Sequence, residues 1–422
     1  MEHRKLSRLV RRWHVVAVSA VVTGLVVLAS ATAGSTATSP YGAGVFPNGK
    51  YGENYNPKPA TVAKAIVSVK ALPSDPVGKS IVLAAMKRAE QKVDLDLAFK
   101  CWKQGSCDTG TGGKYVLGDA DGFCGNVWRK VTEMEVILQA LTYKQIGKII
   151  YTCANLDTQK AISDFRGLIS QGANVMVGYA DAGNALLPAV RDATKRGIPF
   201  STYVGGTIGT PGKDYTTVLT QDLCGLGKQF AAIVNKYAAG GSVAFLGGTP
   251  GNTLTPQWQK CEKAALAKNV KYAGEADTSW TREGALKATS AFISKNPDLK
   301  AISFEYADGF VGALQAYEAA HKPPNIVYTG STDENSVFCE AKKIGNKGFR
   351  MWSGSGFNSQ ARMAVTASMM QLAGAKVPGV ITIQPVLVES KYPSYGCRPD
   401  LPIEASPRAA VPISLFKRMF PG

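Results

Sequence analysis

Histidine is scarce in this chain of 422 residues: His3, His14 and His321 are the only three, and they lie far apart. A Ser-His-Asp triad or a Cys-His pair needs an imidazole beside its nucleophile, so those routes to covalent catalysis find no support. Eight cysteines are present, but no two are spaced as C-x-x-C, and no metal cluster or resident cofactor is expected. A phosphate loop is also missing. "GTGGK" at 110–114 precedes a strand and lacks both the required spacing and the Ser or Thr after its lysine. No basic run is interleaved with aromatics, so the formal net charge of +17 reads as a solvated basic surface and nucleic acid is not an expected partner. After the first 33 residues, no apolar run is long enough to span a membrane.

The basic residues that do cluster are Arg4, Lys5, Arg8, Arg11 and Arg12, just ahead of the apolar stretch Val15 to Ala33. Small residues close that stretch as Ala31-Thr32-Ala33, so residues 1–33 read as a signal peptide or an N-terminal anchor. No cysteine follows to carry a lipid. The expectation is export to the cell envelope, periplasmic or extracellular. In that oxidising setting Cys101, Cys107, Cys124, Cys153, Cys224, Cys261, Cys339 and Cys397 are disulfide candidates. Eight thiols allow 105 pairings. Cys101 with Cys107, bracketing the short loop "CWKQGSC", is the first pair expected, and Cys124 is a candidate to meet Cys153.

Residues 34–113 are expected to form a linker and an N-terminal extension with one helix over Val77 to Ala98. From residue 114 the pattern becomes regular. Apolar segments such as "KYVLGDA", "KIIYTCA" and "NVMVGYA" alternate with stretches whose apolar residues recur every three or four positions, as in Trp128, Val131, Met134, Ile137, Leu138 and Leu141. Strands without polar alternation are covered on both faces, which indicates parallel sheets. The same alternation restarts after "TTVLTQDL". The fold class is therefore α/β: two doubly wound, Rossmann-like lobes joined by a multi-strand hinge. One lobe is assigned residues 114–217 with 357–383, the other 218–356 with 384–422.

In open parallel sheets, ligands bind beyond the carboxyl ends of the strands. The residues there include Asp119, Asn184, Gln257, Asp277, Trp280, Ser331 and Asn358. Those assigned to a ligand are Asp121, Asn126, Trp128, Asp181, Tyr203, Asn252, Trp258, Tyr306, Asp308, Asp333 and Phe357. Carboxylates and amides suit vicinal hydroxyls, and flat aromatic faces suit the C–H face of a sugar ring. Any one Asp or Asn after a strand serves equally well as a helix cap. Trp128 opens an apolar helical stripe and so belongs either to the core or to the cleft. Trp258 and Trp280 are as consistent with surface packing as with ligand contact. "GGTPG" at 247–251 reads first as a plain strand-to-helix turn. The stretch "DGFCGNVW" at 121–128 concentrates the question, since it is longer than a turn needs to be.

Three stretches give the chain its resemblance to a family: "ISQGANVMVGYADAGNALLPAVRDATKRGIPF", "TQDLCGLGKQFAAIV" and "NPDLKAISFEYADGFVGALQAY". Over roughly residues 114–390 it resembles the periplasmic-type sugar-binding proteins of ABC transporters, in the ribose-binding or type I group. The resemblance places Asn126 and Trp128 at a polar and a stacking position on the first loop. It puts Trp258 near a position often held by Arg, Tyr306 near one often held by Asn, and Ser331 to Asp333 near the family's ligand-binding Asp. Tyr203-Val204-Gly205 replaces the family's frequent Asp-Arg pair, which favours a bulkier, less polar or more aromatic-contacted ligand than a pentose. The implied function is non-enzymatic capture of a small ligand, a carbohydrate, by an exported monomer that delivers it to an ABC permease in the membrane. A sensory binding protein that presents its ligand to a membrane receptor or kinase is the alternative.

Overall fold

The computed structural model describes residues 72–89, 91–205 and 207–422. The signal or anchor expected over 1–33 and the linker up to residue 71 lie outside the described residues. Two helices, α1 (Pro76–Ala89) and α2 (Leu95–Gln104), stand where the pattern predicts one. Asp94 explains the division: its backbone is extended at φ −70° and ψ 109°, and its carboxylate accepts from the N–H groups of Asp96 and Leu97, starting a new helix.

The first sheet contains β1 (Ser106–Asp108), β2 (Tyr115–Asp121), β3 (Ile146–Cys153), β4 (Val175–Tyr179), β5 (Phe200–Tyr203), β6 (Thr217–Gln221) and β12 (Val380–Ile383), in the order β1-β3-β2-β4-β5-β6-β12. The second contains β7 (Ser242–Gly247), β8 (Lys271–Asp277), β9 (Leu299–Phe304), β10 (Val327–Gly330), β11 (Arg350–Ser353) and β13 (Val388–Ser390), in the order β13-β11-β10-β9-β7-β8. All pairings are parallel except β1 with β3 and β13 with β11, both at sheet edges. Every residue of β4 and β7 is buried, as expected for strands covered on both faces. This is the type I periplasmic-binding-protein architecture.

Each sheet reverses its strand order once. In the first, β2 lies between β3 and β4; in the second, β7 lies between β8 and β9. Such switch points open a crevice at the carboxyl ends of the strands. The crevices are bordered by α3 (Val127–Ala140) after β2, α7 (Thr255–Ala265) after β7, and α9 (Ala307–Ala319) after β9. No helix among the described residues is long and apolar enough to cross a membrane.

Two details depart from the expected boundaries. β6 runs in register with β5, Tyr203 opposite Leu219, so the first sheet continues past residue 217 before the chain leaves it. Residues 384–422 do not stay with the second sheet. Cys397 is bonded to Cys339 there, but the Ala410 N–H donates to Glu135 Oε1 in α3 at 2.6 Å, and α12 (Ile413–Met419) packs on α2. Buried apolar side chains, among them Leu415 and Phe416, draw that last segment across. In the other direction, α11 (Gln360–Leu372) returns from β11 to pack on β4, β5 and β6.

The eight cysteines form four disulfides: Cys101–Cys107, Cys124–Cys153, Cys224–Cys261 and Cys339–Cys397. The second ties the loop after β2 to the end of β3. The third ties α6 (Leu223–Tyr237) to α7.

Candidate functional site

The carboxyl ends of both sheets face one cavity, narrow and partly open to solvent, that residues from both sheets line. Asn126, Trp128, Arg129, Tyr179, Val204 and Gln221 form the wall from the first sheet's side. Leu254, Trp280, Glu305, Tyr306, Ser331 and Thr332 form the opposite wall.

The first wall is built around Arg129. Its guanidinium is buried, makes an ion pair with Asp121, donates to both oxygens of Asp181 at 2.9 and 3.0 Å, and lies 3.5 Å over the Tyr179 ring. Burial alone would lower its pKa, but Asp181 and Asp121 outweigh that and hold it charged. Burial pushes the Asp181 carboxyl up to about 6 against the pull of Arg129, and raises Asp121 in the same way. Gly122 makes the arrangement possible, because a Cβ there would sit 2.5 Å from Asp181 Oδ2. Asn126 caps α3, its Oδ1 accepting from the Arg129 N–H at 3.0 Å. The Trp128 indole is 6% exposed and packs edge-on to Tyr179.

The second wall is organised by Glu305, at the end of β9. Its Oε1 accepts from Thr255 Oγ1 at 2.5 Å and Trp280 Nε1 at 2.9 Å, and its Oε2 accepts from Trp258 Nε1 at 3.1 Å. Burial pushes this carboxyl up to about 7, opposed by those three donors. Gly248 lets Trp280 lie flat there, since a Cβ would overlap the indole. Below Thr332, whose hydroxyl donates to Glu334 Oε2 at 2.6 Å, burial raises the Glu334 carboxyl to about 8.

Three non-glycine residues at or beside the cavity have left-handed backbone: Val204 at φ 54°, Trp280 at 50° and Phe357 at 47°. For a β-branched residue such as Val204 this costs on the order of 1–3 kcal/mol, strain of the kind that gathers at ligand sites. Gln221 adds an unmet demand. It is 8% exposed, and its Oε1 has no hydrogen-bond partner among the described residues.

Of the residues assigned from sequence, Asn126, Trp128 and Tyr306 line the cavity. The others stand behind it, each with a partner or packing that explains why. Asp121 and Asp181 are turned onto Arg129. Tyr203 is buried, its hydroxyl donating to Asp119 Oδ1 at 3.2 Å. Asn252 braces the turn that leads into α7, its Oδ1 accepting from the N–H groups of Leu254 and Thr255. Trp258 is fully buried against Phe230 and Phe245. Asp308 pairs with Arg282, and Asp333 lies 3.6 Å from Arg408. Phe357 is packed behind Gly356 at 4% exposure. The residues missed are Arg129, Tyr179, Gln221 and Glu305. Tyr179, Gln221 and Glu305 sit at or next to strand ends, where position alone signals them, whereas Arg129 lies inside a helix with no local mark. Among the described residues, no group of three His, Cys, Asp or Glu side chains is placed to hold a metal ion.

The profile of the periplasmic binding protein domain family matches residues 123–376, more than half of the chain. A ribose import binding protein of Bacillus subtilis is 25% identical over 187 residues, 44% of this chain and 61% of that protein. A xylitol-binding protein of Mycolicibacterium smegmatis is 25% identical over 185 residues, 42% of this chain and 52% of that protein. The chain thus spans between half and two thirds of the curated relatives it matches. Among solved structures, the binding component of an arabinose ABC transporter from Shewanella sp. ANA-3, bound to L-arabinofuranose, superposes with a TM-score of 0.59 at 17% identity. That match covers 65% of this chain and 91% of that one. The chain belongs to the periplasmic binding protein family.

Proposed function

We propose that the chain, as a periplasmic binding protein, captures a small polyhydroxylated ligand of the carbohydrate class in the cavity between its two sheets. It then delivers the ligand to an ABC permease, acting as an exported monomer without catalysis. The observation that carries this reading is the cavity wall itself. Gln221, whose buried Oε1 has no hydrogen-bond partner among the described residues, lines it together with Trp128, Tyr179, Trp280 and Tyr306, side chains of the kind that pack on the C–H face of a ring. A cyclic polyol supplies both a hydroxyl donor and a C–H face. Both walls contribute lining residues, so a bound ligand that touches both favours the closed state.

Titration calorimetry and thermal shift against a panel of sugars and polyols test the reading. A micromolar or tighter binder among them supports capture. A flat response across the panel would sink the carbohydrate assignment, and turnover of a glycoside would overturn the non-catalytic one.

A further inference from the structure

The cavity has an imbalance of charge and of hydrogen-bonding capacity. Arg129 and Glu305 are the basic and the acidic side chain that line it. Arg129 is matched twice over, by Asp121 and by Asp181, so that trio holds two carboxylates against one guanidinium. Glu305 receives bonds only from neutral groups, the Thr255 hydroxyl and the indoles of Trp258 and Trp280, and Oε2 takes just one of them. A carboxylate oxygen can accept more than one bond, so acceptor capacity remains at the cavity wall. The orphaned Gln221 Oε1 adds to it.

The Ser331 and Thr332 hydroxyls of the second wall are already engaged. Ser331 donates to the Glu305 carbonyl at 2.8 Å and Thr332 to Glu334. Taken together, one acid with no cation bonded to it, Glu305, lines a space bordered by four aromatic side chains, while Asp121 and Asp181 stand behind it on Arg129. Electron-rich ring faces with an uncompensated carboxylate attract a cation that brings its own N–H donors.

We infer that the ligand of this cleft is an aminated cyclic polyol, an amino sugar or aminocyclitol, whose ammonium group meets Glu305 and the neighbouring aromatic faces while its ring hydroxyls meet Gln221 and Asn126. The inference rests on the reading of the cavity as a carbohydrate site and narrows its ligand class. An ammonium brings three donors, where the hydroxyl it replaces brings one.

The test uses the full, disulfide-intact chain and matched pairs of probes in titration calorimetry. D-glucosamine, D-galactosamine and scyllo-inosamine are each compared with D-glucose, D-galactose and scyllo-inositol, and the two hexosamines also with their N-acetyl forms. The expected result is one amine that binds at least ~10-fold more tightly than both its parent and its uncharged N-acetyl form or, for the cyclitol, than its parent, about the effect of one charge-assisted hydrogen bond. In Glu305→Gln, the ratio of amine to parent affinity should fall to about 1, whatever happens to either affinity alone. Parents that bind as tightly as their amines, or a ratio that survives in Glu305→Gln, would overturn the inference while leaving carbohydrate capture standing. If neither amines nor parents bind, the inference falls together with the carbohydrate reading.

Discussion

The indole N–H of Trp128 donates to the carbonyl oxygen of Gly356 at 3.0 Å, joining residues 228 positions apart in the chain. Gly356 follows the last strand of the second sheet's parallel run and precedes the helix that returns to the first. A residue opening α3 is thus fastened to one of the connections between the sheets, and the Asn358 amide reinforces the link by donating to the Trp128 carbonyl at 3.1 Å. The indole therefore has two duties, one edge on the connection and one face on the cavity.

Two substitutions separate those duties. Trp128→Ala should weaken ligand binding by at least ~1 kcal/mol through loss of the aromatic contact. Trp128→Phe keeps a ring at the cavity but removes the donor and part of the indole's bulk, so it should recover part of the affinity while lowering unfolding free energy by at least about 0.5–1.5 kcal/mol. Calorimetry and urea unfolding on the same samples read both quantities. Equal affinity in wild type and Trp128→Ala would place the indole outside the binding surface.

Arg129 should matter to stability more than any other charged residue of the cavity wall. Replacing it with Met leaves Asp121 and Asp181 buried without their shared cation, a change expected to cost about 3–5 kcal/mol. Arg129→Lys keeps the charge but has one nitrogen in place of the two that reach Asp121 and Asp181 separately, so an intermediate loss is expected. Denaturation midpoints of the three proteins give the ranking. An undiminished Arg129→Met midpoint would contradict the ion-pair account.

The buried carboxyls give a pH dependence with a definite sign. Burial pushes Asp333 up to about 7, against the pull of Arg408. In the unfolded chain it returns to the ordinary range near roughly pH 4. Between those values the folded state holds a proton that the unfolded state has released, so stability falls as pH rises through that window and levels off above it. Each such group contributes a slope of at most about 1.4 kcal/mol per pH unit. Glu305, also raised to about 7, and Glu334, raised to about 8, act in the same direction. Asp333→Asn should flatten the decline between pH 5 and pH 7. A variant that declines as steeply as wild type would show that Asp333 is already ionised in the fold.

Fold and site were legible in the sequence to different depths, for a physical reason. Strand and helix periods are local, so "KYVLGDA" and the stripe from Trp128 to Leu141 announced β2 and α3 directly. Placement at a strand end is local as well, and it found Asn126, Trp128 and Tyr306. Orientation is set by partners distant in sequence. Asp181 turns onto Arg129, 52 residues earlier, and Trp258 turns onto Glu305, 47 residues later. No pattern around Asp181 or Trp258 distinguishes a side chain facing a ligand from one bracing a neighbour. The division of the expected long helix at Asp94 was the exception: the aspartate capable of capping was in plain view, but the apolar residues on either side kept helical spacing.

The crossing of the C-terminal segment between the sheets yields the last prediction. Glu135 and Arg362 form an ion pair with both side chains fully buried, and the segment is threaded through it. The Ala410 N–H donates to Glu135, and Arg362 donates to the Ala410 carbonyl at 2.7 Å. Just before, Arg408 donates to the Ser353 carbonyl at 3.2 Å and to that of Gly354, where β11 gives way to the connection. Glu135→Ala removes the opposite charge from Arg362 and the acceptor from Ala410 together, so it should cost about 3–5 kcal/mol. Glu135→Leu with Arg362→Met keeps the volume and removes both charges, and should lose much less than the sum of the two single changes. A double-mutant cycle by urea unfolding measures the coupling. Simple additivity would mean that the pair does not act as a unit and that the segment is held by its apolar contacts alone.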